Sequence, residues 1–164
     1  VPERYQGECP LSTQSCRGRL RPIADTSIGW HHWAMADLDD IVVVNESSDE
    51  AIAGDVSVFR SADAACGWLE HWWVENGEGF AFTAAGERLT LGLDDRARVI
   101  VIRREATSHG KKLVHDWLRS AAASVLEARR VRAARGKFIL SPAEEGGQLP
   151  TSLDELIAYV GFNG

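Results

Sequence analysis

Nowhere in this chain does an apolar run approach the ~20 residues that a membrane-spanning helix needs, so no membrane partner is expected. Cysteine is scarce. Cys9 and Cys16 are separated by six residues, a spacing that suits no zinc site, and Cys66 falls inside an expected helix. All three therefore read as reduced and unpaired, and no metal site is expected. The five histidines (His31, His32, His71, His109 and His115) form no HExxH, and His109 and His115, six apart, do not share a helix face. The chain lacks a Gly-rich phosphate loop, a G-x-S-x-G elbow and a paired-carboxylate signature, so neither a cofactor nor a catalytic residue is expected. Repeats and low-complexity tracts are absent as well. The opening VPERYQGECP has no apolar signal-peptide core, which points to the cytoplasm.

What is present suits a folded domain: 45% hydrophobic and 26% charged residues across 164 positions. The chain is organised around residues 55–104. Val56-Ser57-Val58-Phe59 reads as a strand, and Ser61 then caps a helix whose apolar positions continue to Trp73. On a helical wheel Asp63, Gly67, Glu70 and His71 share a polar side. The tryptophans, alanines, Leu69 and Cys66 fill an arc of roughly 200°, twice the stripe of a helix lying on one sheet. Trp72 and Leu69 lie near its middle and are expected in the core. Phe80 and Phe82 alternate along a second strand, Gly86 turns the chain, and Leu89, Leu91 and Leu93 alternate along the return. Val99-Ile100-Val101-Ile102 is apolar throughout, as in a central strand or one covered on both faces.

Around this centre, Ile41-Val42-Val43-Val44 reads as a strand inside an acidic stretch, residues 37–55, that contains no Lys or Arg. A long helix is expected over residues 110–135, stopped by Gly136. Pro142, Gly146-Gly147 and Pro150 read as a loop, and Ser152 with Glu155 forms a capping box for a short closing helix. Residues 1–34 lack periodicity and read as an irregular arm or as upstream translation before Met35, the only methionine; residues 35–164 read as a single domain. The fold class expected is α+β: an antiparallel sheet of four or five strands, two long helices packed on one face, and a short C-terminal helix.

Charge is segregated. Residues 96–137 hold twelve Lys or Arg against three acids, a net of +9 in a chain of −6, which leaves −15 elsewhere. Arg129, Arg130, Arg132 and Arg135 crowd the end of the long helix, where the side that was apolar one turn earlier becomes basic. A guanidinium there needs a carboxylate or a partner. The expectation is that Arg132 or Arg135 meets a carboxylate, drawn from the acidic stretch. These four arginines and Trp73 are the candidate binding residues.

The combination VFRSADAACGWL, GEGFAFTAAGERLTL and HGKKLVHDWL resembles small uncharacterised bacterial α+β proteins with a Ser-capped Trp helix followed by a Gly-containing hairpin. The resemblance covers residues 55–162. It implies a fold, and by analogy a toxin-immunity or accessory binding role. Three readings of function follow. The first is a non-catalytic module that binds another protein or a second copy of itself. The second is nucleic-acid binding through the basic helix end. The third is a ligand binder or enzyme with a Trp-lined pocket.

Overall fold

A computed structural model of the chain describes residues 38–163. The expected arm over residues 1–34, with Cys9, Cys16, His31 and His32, lies outside them. The described residues form one antiparallel sheet in the order β2-β1-β3-β4-β5, built from β1 (Val42–Glu46), β2 (Asp55–Phe59), β3 (Phe80–Thr83), β4 (Glu87–Leu93) and β5 (Val99–Ala106). The helices are α1 (Ala62–Trp68), α2 (His71–Asn76), α3 (Gly110–Ala134), α4 (Pro142–Glu145) and α5 (Leu153–Val160).

Alternation along the strands sorts the core into two layers. Val43, Val56, Val58 and Phe82 face Val114, Trp117, Leu118 and Ala122 of α3 and Leu156 and Ile157 of α5. Val42, Val44, Phe59, Ala81 and Leu89 face the opposite way, onto Ala65 of α1, Leu69 between the two short helices and Trp73 of α2. Strand β1, between β2 and β3, is thus buried on both faces, which is why its valines run without a polar break.

The expectation of two long helices on one face is corrected here. Among the described residues only α3 is long, and the Trp-rich segment is two short helices on the other face. Leu69 leaves helical geometry (φ −70°, ψ 136°), as does Glu70. The wide apolar arc accounts for the break. One sheet face cannot cover 200° of a helix, so the chain breaks and buries only Ala65, Leu69 and Trp73. Ser61 caps α1 as expected, accepting from the Ala64 N–H.

The expectation that residues 99–102 form a covered strand also fails. Strand β5 is at the sheet edge, with Val99 buried beneath α1 and α2 but Ile100 and Ile102 exposed. A bulge between Thr90 and Leu91 shifts the β4–β5 register, and Ile102 folds over Gly92, which has no side chain to displace it. Long α3 covers the middle of the sheet and leaves this corner open. At the opposite edge, the Asn163 N–H donates to the Val58 carbonyl at 2.7 Å.

Buried polar side chains fix the turns. Asn45 is fully buried; its amide donates to the Ile52 carbonyl at 2.9 Å and accepts from the Gly54 N–H at 2.8 Å. Gly86 turns β3 into β4 at φ +93°, and a Cβ there would lie 2.5 Å from the Lys111 nitrogen. That contact, with the Thr107 hydroxyl donating to the Gly86 carbonyl at 3.1 Å, seats the start of α3 against the hairpin.

Candidate functional site

The break between α1 and α2 leaves two tryptophans outside. Trp73 points into the core at 6% exposure, whereas Trp68 is 46% and Trp72 45% exposed. The expectation that Trp72 is core is therefore corrected, while Leu69 is buried as expected. An interruption of two residues resets the phase of the wheel, so mid-arc position stops predicting burial. Both outer rings are held. Trp68 lies 5.4 Å from the buried Phe59 ring, and the Trp72 indole N–H donates to the Glu70 carboxylate.

The elbow opens a cleft of about 640 Å3 against the start of β5, lined by Asp63, Cys66, Leu69, Glu70, His71 and Val99 among others. Arg98 stands on its wall. Asp94 anchors that wall, accepting from the Arg96 and Arg98 N–H groups at 2.9 Å each and from the Arg98 guanidinium at 2.8 Å. These bonds, the Arg98 side chain first, lower the Asp94 pKa. Cys66 and His71 in one cleft invite a nucleophile reading, but burial, and secondarily the Asp63 charge, push the thiol pKa up. A protonated thiol is a weak nucleophile and a weak ligand. Among the described residues no three His, Cys, Asp or Glu gather as a metal site.

The basic helix end divides. Arg129 turns inward onto Glu144 of α4 at 2.5 Å, with its guanidinium 4.4 Å from the centre of the Tyr159 ring. Glu144 also accepts from the Tyr159 hydroxyl at 2.8 Å and from the Ser141 N–H and hydroxyl at 2.9 Å each. Burial would raise the Glu144 pKa. The Ser141, Arg129 and Tyr159 bonds outweigh it and hold the carboxyl near 2. With both oxygens engaged and its proton affinity so low, Glu144 is a structural clasp and a poor general base.

Arg130 donates to the Glu144 carbonyl at 3.4 Å. Arg132, half-buried, and Arg135, exposed, meet no carboxylate among the described residues, so the expected pairing of that couple is corrected to Arg129 with Glu144. Ile139, 91% exposed, lies just beyond them. The acidic stretch answers other cations: Glu50 lies 3.5 Å from Arg88 and 3.7 Å from His109.

Sequence reasoning missed α4, although Ser141-Pro142-Ala143-Glu144 carries a Ser cap, a proline in the first turn and a glutamate at the third helical position. No described helix is long and apolar enough to cross a membrane. No family model matches the chain, and neither a curated protein nor a solved structure is significantly similar to it.

Proposed function

We propose that the chain is a non-catalytic protein-binding module, accessory or immunity-like and acting in the cytoplasm, that docks through its α1–α2 layer. One observation carries this: Trp68 and Trp72 are nearly half exposed on a layer that buries their neighbour Trp73. Tryptophan is costly to leave in water and is enriched where partners meet. Both rings are already held, one on Phe59 and one by Glu70, so docking would order little that is not ordered beforehand.

The test is the double substitution Trp68→Ser with Trp72→Ser. Its melting temperature should stay within a few degrees of the parent, and any partner captured from cells should be lost, with affinity falling about 30-fold or more if either ring is a hot spot. A large drop in stability with unchanged capture would return both rings to a structural role.

Arg132 and Arg135, lacking carboxylates among the described residues, support nucleic-acid binding as the second reading. In that case retention on duplex DNA should fall steeply with salt, with a log–log slope of about −3 to −4 for four phosphate contacts, and Arg132→Glu with Arg135→Glu should abolish it. The module reading expects no such retention, since a chain of net −6 repels a phosphate backbone at long range.

A further inference from the structure

We infer that the partner is cationic and seats an arginine or lysine side chain in the cleft at the α1–α2 elbow. This rests on the docking reading above and specifies its chemistry. Residues 61–79 hold Asp63, Glu70, Glu75 and Glu78 and no Lys or Arg. Among the described residues none of these four carboxylates has a cation within ion-pair reach. Among the described residues Glu70 accepts from the Trp72 indole, and Glu78 accepts from the Asn76 amide at 3.2 Å.

Acids on a helix are ordinarily a solvated face, and the surroundings set these apart. Asp63 and Glu70 stand on a cleft whose apolar lining includes Leu69 and Val99, with the two exposed tryptophans alongside in sequence. A long cationic side chain suits that combination, its methylenes against the leucine and valine and its head at the carboxylates. A guanidinium suits it better than an ammonium, since its planar fork can engage a carboxylate through two bonds and its face can stack on indole. The cleft's own cation does not fill this role: Arg98 contacts Asp94 at 2.6 Å, so its charge is answered within the β4–β5 turn. Low-dielectric aromatic surface beside carboxylates that meet no cation among the described residues strengthens attraction to an incoming cation.

The experiment titrates 15N-labelled full-length chain at low salt with tetra-arginine amide, with tetra-glutamate as control. The Trp68 and Trp72 indole signals are assigned from Trp68→Phe and Trp72→Phe. Those two signals should shift saturably with tetra-arginine alone. Asp63→Asn with Glu70→Gln should weaken binding about tenfold, the scale of two partly shielded charge pairs, whereas Glu127→Gln with Asp154→Asn should not. Equal loss in both variants, still indole signals, or an equal response to tetra-glutamate overturns the inference. So does salt-sensitive self-association abolished by Arg132→Glu with Arg135→Glu, which would make a second copy the occupant. If capture of a protein partner needs Trp68 and Trp72 but not Asp63 and Glu70, the docking reading stands and the cationic partner falls. If capture ignores the tryptophans, the docking reading itself falls.

Discussion

Trp117→Ala is expected to lower stability by about 3–5 kcal/mol, the range for truncating a buried large aromatic. Trp117 is on the inner face of α3 and is essentially inaccessible. Its ring meets Phe82 of β3 edge-on, with centroids 5.4 Å apart and planes at 76°. Its indole N–H donates to the Glu50 carbonyl at 2.9 Å, which ties the β1–β2 loop to the helix. The alanine variant therefore loses volume, an aromatic pair and the partner of a backbone carbonyl together. Trp117→Phe separates these contributions. It keeps most of the volume and removes the hydrogen bond, so a loss of about 1–2 kcal/mol is expected. Urea unfolding at constant m-value measures both. If the alanine variant loses less than about 1 kcal/mol, the core between α3 and the sheet does not depend on this ring.

The contrast with Trp72 shows how far the sequence was legible. Local chemistry read well: the Ser61 cap, the Ser152–Glu155 capping box, the Gly86 turn and both ends of α3 depend on residues within a few positions of one another. Strand alternation likewise placed Phe82 and Leu89 in the core, because its period of two is short enough for a few residues to set it. What failed was anything decided by distant cover. The run at residues 99–102 announces an apolar strand but not its neighbours, and β5 turned out to be an edge. The wheel over residues 62–73 assumed one unbroken helix, and the over-wide arc it produced was itself the sign of a break. The arginine cluster was visible, yet which arginine turns inward depends on where α4 lands, fifteen residues beyond Arg129. The elbow cleft combines both difficulties, since it exists only because the helix breaks where β5 begins.

Glu144→Gln is the second large expected effect, a loss of about 3 kcal/mol at neutral pH. The substitution keeps the shape of the side chain but leaves the half-buried Arg129 guanidinium without its counter-charge, and breaking such a pair from one side typically costs about 3–5 kcal/mol. The lowered pKa of the Glu144 carboxyl points to a similar size. An ordinary glutamate carboxyl titrates near 4.5, and Glu144 in the fold near 2. A depressed pKa of that extent corresponds to about 3 kcal/mol of stabilisation. It is fully present above the unfolded value and is lost as the pH falls from about 4.5 through 2. Tyr159 acts at the other end of the scale. Burial first, and its bond to Glu144 second, push its hydroxyl up to about 12, so its contribution holds below 10 and is lost as the pH rises towards 12. Chemical denaturation between pH 7 and pH 2 provides the test. The parent should lose stability more steeply than Glu144→Gln across the acid range, and the two curves should converge near pH 2. Parallel curves would mean that the Glu144 carboxyl titrates like a free one, and that α4 and α5 are held to the end of α3 by packing alone.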